Sequence, residues 1–443
     1  MSWAPGRRNM KYPACTKLPT LAVIIMKLHV LILTLFLAGC QSKNAFRLPA
    51  EWEPHKAMMV SFNDNDASAD SVSVEIVKAL SPIMKVYCVI MSDTMTPYYQ
   101  AWFEKEGIQK DSIQFMNFGS SFSYSIRDPI FFLKNKKGEL AITDFGWNDY
   151  GYLPSDISKR KEFLENSIKD REGYEANFIK LFPYPLISSK MVNEGGAIEV
   201  NGKGTIIQVE TVNRQRNPNM SLENQEEELK KVLGIKNIIW LKDGMADDPD
   251  AKTLITNNYF GIGVNGHIDE FCRFVNPTTL LLAFPDSTEA QKNPVVKMTY
   301  ERMLINLDIL KQSVDQDGNS FTIIRTPVPD LNPIVYKLDS SSDDIKTKRF
   351  SKWVLKKYKQ FESGDTAYYL PASSYLNFLV TNKAVLIPKY WKPGLPESTR
   401  LKDEKVKKIF ETYFPERKVI QINPMGLNFN GGGIHCWTQQ IPE

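Results

Sequence analysis

Short apolar segments recur along most of this 443-residue chain, and each is followed by a loop rich in turn-forming residues. Five of these segments predict β-strands, because they are short, apolar and bounded by polar residues. Their starts lie roughly 60 to 100 residues apart, which is typical of a repeat built from a few strands and a helix. The five segments are residues 113–118, 178–186, 238–241, 321–329 and 419–424.

Four pairs of apolar runs predict β-hairpins, because each pair flanks a short turn such as NKKG, NGKG, NPTT or TNK. Helices are predicted between these units: one begins after Ser221 and stops at Gly234, and another runs from about Ser287 to Leu310. The pattern therefore predicts an α/β chain of similar modules, folded as one domain. The paired runs are 130–133 with 140–145, 197–200 with 205–209, 271–275 with 280–284, and 378–380 with 384–387.

A polar or reactive residue stands just before each of five hairpin positions. If five similar units close around an axis, their equivalent loops meet at its centre, so residues spread over roughly 300 positions would converge. The sequence therefore predicts a site at the centre of the ring. The candidate residues are Arg127 and Asp128, Glu194, His267 and Asp269, Asn377, and Cys436.

The last of these loops reads GGGIHC, so Gly431 to Gly433 lie directly before Ile434, His435 and Cys436. Three glycines allow the backbone to bend sharply or to approach a ligand closely, and the loop would deliver Cys436 to a crowded place. A cysteine that only fills a core would not need such a loop. We expect His435 to support the loop, since adjacent side chains of an extended segment point apart.

Composition narrows the class of partner. The chain is 42% hydrophobic and 24% charged, as in ordinary globular proteins, and its formal net charge is only +4. So small a charge gives no reason to expect a nucleic acid partner. The five cysteines suggest neither a disulfide framework nor a zinc site, and GHIDEF is not followed by the second histidine of an HExxH motif. We therefore expect no metal and no cofactor.

The N-terminal region predicts export. A lysine after Met26 is followed by an apolar run that ends in LAGC at Cys40. This order is that of a short signal peptide, and it resembles the lipobox of bacterial lipoproteins, in which the cysteine is lipidated. The membrane would then be contacted only through this lipid anchor, with the protein facing the periplasm or the cell surface. We expect four segments: 1–25, an upstream extension; 26–40, the signal peptide; 41–47, a short tether; and 48–443, the domain that carries the candidate site.

A thiol, an imidazole and carboxylates in one pocket suit nucleophilic catalysis on a planar cation. Asp128 and Asp269 could each accept paired N–H bonds from a guanidinium, which would fix its plane. The Cys436 thiolate would attack the central carbon, and His267 would protonate the departing ammonia and then activate water. Carboxylates raise the pKa of a nearby thiol and a bound cation lowers it, so the thiolate should form mainly with substrate present.

Several motifs, taken in order, resemble those of the agmatine deiminases and Porphyromonas-type peptidylarginine deiminases. They are PAEWEPHKAMMVSF, RD, EGGAIEVNGKGT, NRQRNP, GHIDEFCRFV, PASSYLNF and GGGIHCWTQQIP, and together they extend over nearly all of residues 48–443. The resemblance implies the pentein fold, a single-domain α/β propeller with five-fold pseudosymmetry. It also implies that Cys436 is the nucleophile, that His267 is the general acid and base, and that Asp128 and Asp269 bind the guanidinium.

Further roles follow from the same resemblance. Glu194 would help to orient the histidine or the substrate, Asn377 would line the pocket, and Arg127 is placed with the substrate-binding residues. The implied activity is hydrolysis of a guanidinium group, a C–N bond of an amidine. Export favours peptidyl-arginine as substrate, giving citrulline and ammonia, over agmatine, giving N-carbamoylputrescine and ammonia. A lipoprotein that binds guanidinium compounds without catalysis is the second alternative.

The sequence also departs from the family pattern. Ser125 stands where the family usually has a tryptophan, and RDPI replaces RDxGP, so the non-guanidinium part of the substrate would be held differently. A segment at about 332–365 resembles an insertion between modules, with a helix from about Phe350 to Phe361. This helix would be either a lid over the site or a solvated surface helix.

Overall fold

Six β-sheets lie within residues 45–119, 126–154 and 156–443, the part of the chain that this computed structural model describes. Phe46–Glu443 form one compact unit. Cys40, the rest of the predicted signal peptide and Ser125 lie outside the described residues. The strands are β1 His55–Ser61, β2 Lys85–Ile90, β3 Ile113–Asn117, β4 Phe132–Lys134, β5 Leu140–Gly146, β6 Leu186–Val192, β7 Glu199–Val200, β8 Thr205–Val209, β9 Asn237–Leu241, β10 Thr253–Thr256, β11 Tyr259–Gly261, β12 Cys272–Asn276, β13 Thr279–Ala283, β14 Thr322–Thr326, β15 Ile334–Lys337, β16 Thr366–Leu370, β17 Leu379–Val380, β18 Ala384–Pro388, β19 Lys418–Ile422 and β20 Thr438–Pro442.

Four of the sheets share one plan. A tight turn joins two antiparallel strands, and a third strand then runs parallel to the second. The antiparallel pairs are the four hairpins that the turn sequences predict. Each third strand is reached through a connection that contains a helix, as parallel pairing requires. These sheets are β4-β5-β6, β7-β8-β9, β12-β13-β14 and β17-β18-β19.

The fifth sheet joins the two ends of the folded unit. β20 pairs antiparallel with β1, so that His55 lies opposite Pro442 and Val60 lies opposite Thr438. β2 and β3 follow as parallel strands. The sheet therefore repeats the common plan with one extra strand, and the series of five modules closes on itself.

Helices lie within the connections between many of the strands. The predicted helix after Ser221 is confirmed, because the Ser221 side chain accepts a hydrogen bond from the N–H of Asn224, and Gly234 ends the helix with a φ of 64°. Within the described residues, the helices are too short or too polar to cross a bilayer. Their bounds are Ala67–Leu80, Thr96–Lys105, Arg160–Leu181, Glu210–Arg216, Leu222–Leu233, Ser287–Ala290, Pro294–Gln312, Ile345–Lys357, Glu397–Tyr413 and Met425–Asn428.

Two predicted elements differ in the structure. The single helix expected to start at about Ser287 is divided, because the Asn293 side chain caps a second helix at Pro294. The strand expected over residues 178–186 begins only at Leu186, and its first four residues end a helix instead. Tyr174, Phe178 and Phe182 are buried four positions apart, which is the spacing of one helix face.

Apolar side chains between neighbouring modules form a large shared core. Ile207, Phe271, Phe274, Leu281 and Phe378 are fully buried in it. A buried side chain of this size contributes about 1.5–3 kcal/mol relative to an exposed one. Because several of these residues flank the starts of the hairpins, the same packing holds the loops that precede them.

The predicted insertion contributes one strand, β15, and one helix to a sixth sheet, β10-β11-β16-β15. The strands β10 and β11 lie at residues 253–261, well before the insertion, and β16 follows it at Thr366. That helix spans Ile345–Lys357, earlier than predicted, because Asp344 caps its first turn. Its Phe350 stacks on Tyr336 with ring centroids 4.4 Å apart, and Val354 is fully buried. One face of the helix is therefore packed on the sheet, and only its basic outer face matches the prediction of a solvated helix.

Candidate active site

The loops before the five antiparallel pairs meet at one place. They contribute Asp128 before β4, Glu194 before β7, Asp269 before β12, Asn377 before β17 and Cys436 before β20. The first four side chains are almost completely buried, and Cys436 is partly buried. Groups spread over about 300 residues thus lie around one point, because each module presents the same loop to the centre.

Gly196 marks the middle of this arrangement. A Cβ atom built on it would lie 2.7 Å from His267 Nδ1, 3.1 Å from Asp128 Oδ1 and 3.2 Å from Asp269 Oδ2. An imidazole and two carboxylates therefore surround a backbone position that has no room for a side chain. This crowding accounts for the second glycine of the EGG motif.

Asp128 is held from two sides. Its Oδ1 accepts a hydrogen bond from the Gly196 N–H at 2.7 Å, and its Oδ2 accepts one from the Tyr150 hydroxyl at 2.8 Å. Burial raises the pKa of Asp128, although the nearby charge of His267 opposes the rise. A cation bound beside it would therefore stabilise its ionised form.

Glu194 lies between His267 and Arg216. Its Oε1 accepts a hydrogen bond from Arg216 Nε at 2.7 Å, and its Oε2 lies 3.6 Å from His267 Nε2. Burial works against the charge on Glu194, but Arg216 and His267 outweigh burial and lower its pKa to about 2. Burial also works against a charged His267, yet Glu194 and Asp128 raise the pKa of that ring. The arrangement favours an imidazolium, the protonation state of a general acid.

The two oxygens of Asp269 have different surroundings. Oδ2 lies 2.7 Å from His435 Nδ1 and 3.6 Å from Cys436 Sγ, and it accepts a hydrogen bond from Asn377 Nδ2 at 3.2 Å. Oδ1 is buried and has no hydrogen-bond partner among the described residues. Burial disfavours ionisation, but the hydrogen bond with His435 lowers the pKa of Asp269. Asp269 is thus an ionised carboxylate with one acceptor atom to spare.

Asn377 ties the nucleophile loop to the acidic groups. Its Oδ1 accepts hydrogen bonds from the N–H groups of His435 and Cys436, at 2.8 Å and 3.4 Å. Its Nδ2 donates to Glu270 Oε1 at 2.9 Å and lies 3.2 Å from Cys436 Sγ. The amide therefore positions both the backbone and the sulfur of the loop.

The sulfur of Cys436 lies among carboxylates, with Glu270 Oε1 at 3.9 Å in addition to Asp269. Burial, followed by the charges of Asp269, Glu270 and Asp128, raises the pKa of this thiol well above its ordinary value. The thiol is therefore neutral in the free site at neutral pH. A bound cation that offsets the carboxylates would favour the thiolate.

These groups also resemble a cation site. Asp269, Glu270 and Cys436 offer ligand atoms that all lie within 4.8 Å of one another. The same negative surroundings suit a protonated guanidinium, the group that the sequence analysis assigns to this pocket. The expectation that the protein uses no metal stays a prediction.

Arg127, which is predicted to bind substrate, contacts other groups of the protein in the structure. Its guanidinium donates to the His435 carbonyl oxygen at 3.2 Å, to Glu51 Oε1 at 3.2 Å and to Gln440 Oε1 at 2.7 Å. These partners belong to the protein itself, and a second cation would repel a guanidinium substrate. The contacts favour a structural role for Arg127 over the substrate contact expected from the sequence.

Sequence reasoning missed four groups around the site: Glu270, Arg216, Tyr150 and Asp248. Glu270 follows directly after HID, and Arg216 lies within the motif NRQRNP, so both could have been found from the motifs. Asp248 accepts hydrogen bonds from the N–H groups of Gly266 and His267, at 3.0 Å and 2.9 Å. Neither Asp248 nor Tyr150 lies in a motif, and only the fold brings them to the pocket.

Comparison with known proteins identifies relatives along nearly the whole chain. A family model described as Porphyromonas-type peptidyl-arginine deiminase matches residues 47–442. The agmatine deiminase of Pseudomonas aeruginosa is 27% identical over 418 residues, which cover 90% of this chain and 96% of that protein. The agmatine deiminase of Medicago truncatula is 27% identical over 423 residues, which cover 90% of this chain and 97% of that protein.

Solved structures match over the same extent. An agmatine deiminase of Enterococcus faecalis gives a TM-score of 0.67 at 22% identity and covers 90% of this chain and 97% of its own. An agmatine deiminase of C. jejuni gives a TM-score of 0.63 at 18% identity, covering 90% and 96%. These matches confirm the predicted α/β pentein fold. With the match of the family model, they show that the chain belongs to the Porphyromonas-type peptidyl-arginine deiminase family, whose members are hydrolases acting on the C–N bonds of amidines.

Proposed function

We propose that this protein hydrolyses the guanidinium group of a small cationic substrate, with agmatine ahead of peptidyl-arginine. The observation that carries the proposal is the grouping of a thiol, an imidazole and two carboxylates, from three modules, around one point. The order of the two substrates is the reverse of the sequence-based expectation, because the two curated relatives compared above are agmatine deiminases.

Binding would use the two aspartates. Asp269 has one oxygen without a hydrogen-bond partner among the described residues, and Asp128 also lies beside Gly196. Each carboxylate can accept N–H bonds from a planar guanidinium and so orient its central carbon. The positive charge of the substrate would offset the carboxylates around Cys436, and the thiol would then lose its proton to solvent.

The chemistry would follow in two stages. The thiolate of Cys436 forms a bond to the guanidinium carbon, and the His267 imidazolium gives a proton to the nitrogen that leaves as ammonia. The resulting thiouronium is attacked by water, from which the now neutral His267 removes a proton. The C–S bond breaks, the thiolate is restored, and the ureido product leaves. Glu194 supports the imidazolium at both stages through its contact with Nε2.

The buried carboxylates of the pocket affect which guanidino compounds it can accept. Asp128, Glu194, Asp248 and Asp269 are buried carboxylates near His267, and Arg216 is paired with one of them. Agmatine is arginine without the α-carboxylate, and both molecules carry the amine. The acidic surroundings would repel that α-carboxylate and attract the amine, so we expect free arginine to be the poorest of the three substrates.

The test is release of ammonia and ureido product by the purified full-length protein, with agmatine, free arginine and an arginine-containing peptide offered separately. Cys436→Ala is the control. Turnover of agmatine that is lost in the control supports the proposal. Turnover of the peptide alone would restore the sequence-based preference. Binding of all three without turnover would leave a guanidinium-binding protein, the second alternative.

We also propose that the chain is anchored as a lipoprotein through Cys40, on the basis of the LAGC sequence alone. Full-length protein expressed in a bacterium should incorporate labelled palmitate and fractionate with membranes. Cys40→Ala should lose both properties. A wild-type protein that takes up no label would overturn this assignment.

A further inference from the structure

His435 lies between two carboxylates. Its Nδ1 is 2.7 Å from Asp269 Oδ2, and its Nε2 is 3.1 Å from Glu51 Oε1. The ring is only 1% exposed, so water cannot substitute for either partner. An ionised carboxylate oxygen accepts hydrogen bonds and does not donate them, so the ring is the donor in its hydrogen bond with Asp269. The ring therefore bridges an acidic group of the site to one outside it.

The outer partner, Glu51, is itself firmly held. Arg127 donates to its Oε1 at 3.2 Å, Gln440 donates to its Oε2, and Arg273 lies 3.7 Å away. Burial works against the charge of Glu51, but Arg127 and His435 lower its pKa well below the ordinary value. The Nε2 side of His435 is thus anchored to a charged group that two arginines hold in place.

This anchoring has a consequence for Asp269. The His435 ring occupies Oδ2, so the carboxylate cannot turn that oxygen towards a substrate without losing a short, charged hydrogen bond. Oδ1 is then the acceptor that has no partner among the described residues. We propose that His435 is a positioning residue, which binds Oδ2 of Asp269 and thereby keeps Oδ1 available for the guanidinium. The inference rests on the proposed function, in which Asp269 binds the substrate.

The side chain and the backbone of His435 have separate tasks. Its N–H donates to Asn377 Oδ1, and its carbonyl oxygen accepts from Arg127. Substitutions of the ring leave these backbone bonds in place. The contribution of the ring to Asp269 can therefore be tested apart from the support that residue 435 gives to the nucleophile loop.

Two substitutions separate the two ring nitrogens. The amide nitrogen of asparagine lies near the position of Nδ1, and that of glutamine lies near the position of Nε2. His435→Asn can still donate to Asp269, whereas His435→Gln can donate only to Glu51. Both replace the ring by a neutral amide, so each serves as the matched control for the other.

We expect His435→Asn to keep kcat/KM for agmatine within about fivefold of wild type. His435→Gln should lose about 10- to 100-fold, the usual effect of removing a hydrogen bond to a charged group. KM should rise more than kcat falls, because the displaced carboxylate binds the guanidinium before any bond is made. The acidic limb of the pH profile should move to higher pH in His435→Gln, since the hydrogen bond that lowers the pKa of Asp269 is lost.

His55→Gln is the control for loss of a buried histidine. His55 is 5% exposed, and burial lowers its pKa to about 4, as expected of a neutral, structural ring. We expect its kinetics to match wild type. Equal losses in the two His435 variants, or a larger loss in His435→Asn, would overturn the inference. A wild-type enzyme without activity on any guanidino compound would instead overturn the proposed function.

A measurement on the wild type covers the case in which the variants do not fold. In histidine labelled with ¹⁵N, Nδ1 of His435 should carry a proton, and agmatine should perturb the Nδ1 resonance more than the Nε2 resonance. An unprotonated Nδ1, or an unchanged Nδ1 resonance on binding, would contradict the inference.

Discussion

The Nε2 atom of His267 lies 3.6 Å from Oε2 of Glu194, whose other oxygen accepts a hydrogen bond from Arg216. Because Arg216 and His267 lower the pKa of Glu194 to about 2, this carboxylate stays ionised across the working pH range. His267 therefore always has a negative partner. The three residues come from three different segments, so the fold itself sets the protonation state of the general acid.

Glu194→Gln should move the basic limb of the kcat/KM profile to lower pH. His267 acts as an acid in the first stage, and its raised pKa keeps it protonated as the pH rises. Without the charge of Glu194 that pKa falls towards its ordinary value, so activity should be lost at correspondingly lower pH. Ammonia release between pH 5 and 10 measures the shift. Glu226→Gln, at the surface, should leave the limb in place, and an unmoved limb in Glu194→Gln would contradict the assignment.

Asp269→Asn should affect the reactivity of Cys436 and turnover in opposite directions. Asp269 is the carboxylate that contributes most to the raised pKa of the thiol, after burial. Its neutralisation should speed alkylation of Cys436 by iodoacetamide several-fold at pH 8, while turnover falls by at least about 100-fold because a guanidinium ligand is lost. Mass spectrometry of the Cys436 peptide follows the alkylation. Slower alkylation in the variant would show that the carboxylate does not control the thiol.

Gly196→Ala should abolish most activity while the fold remains intact. The added methyl group would lie 2.7 Å from His267 Nδ1, which is closer than a Cβ atom can come, so the ring has to move. We expect kcat/KM to fall by more than about tenfold, since small displacements of catalytic groups have large effects. Gly173→Ala is the control: this helical glycine has no atom within 4 Å of an added Cβ, and alanine there should stabilise the protein by up to about 1 kcal/mol. Equal activity of the two variants would refute the crowding argument.

Asp70 should make the stability of the protein fall between about pH 4 and pH 7. Its Oδ2 accepts a hydrogen bond from the Tyr99 hydroxyl at 2.7 Å, and burial raises its pKa to about 7. The folded state thus keeps a proton that the unfolded chain loses near pH 4, so this contribution is full below that pH and disappears as the pH rises to about 7. Thermal unfolding at pH 5 and pH 8 measures the difference. The decrease in Tm should be smaller in Asp70→Asn, and an equal decrease would exclude Asp70 as its source.

Local patterns predict more of this fold than of its site. The helix cap at Ser221, the helix end at Gly234 and the hairpin turns are each determined by residues close together in the sequence, so they can be predicted from it. Because the modules repeat one arrangement of strands, the loops that hold Glu194 and Cys436 can be expected to meet at the centre. The last turn of the long helix, from Phe178 to Leu181, escaped prediction, because a short apolar run suits either a strand or a helix face.

Contacts between distant segments could not be predicted from local patterns. Glu51 reaches His435 across 384 positions, and the side chain of Arg127 turns towards Glu51 and Gln440 while its neighbour Asp128 faces the site. Nothing in the RD dipeptide distinguishes these two directions. The surroundings of His435, with a carboxylate at each ring nitrogen, likewise depend on the packing of several modules.

Because β1 pairs with β20, the site does not depend on which module comes first along the chain. His55 lies opposite Pro442, so the two ends of the folded unit are neighbours in one sheet. A circular permutant that joins them through a short linker and opens the exposed turn at Asp317 and Gly318 would keep every central loop intact. The nucleophile would then lie in the interior of the polypeptide. A relative or an engineered variant could therefore begin and end at a different module and keep the same site.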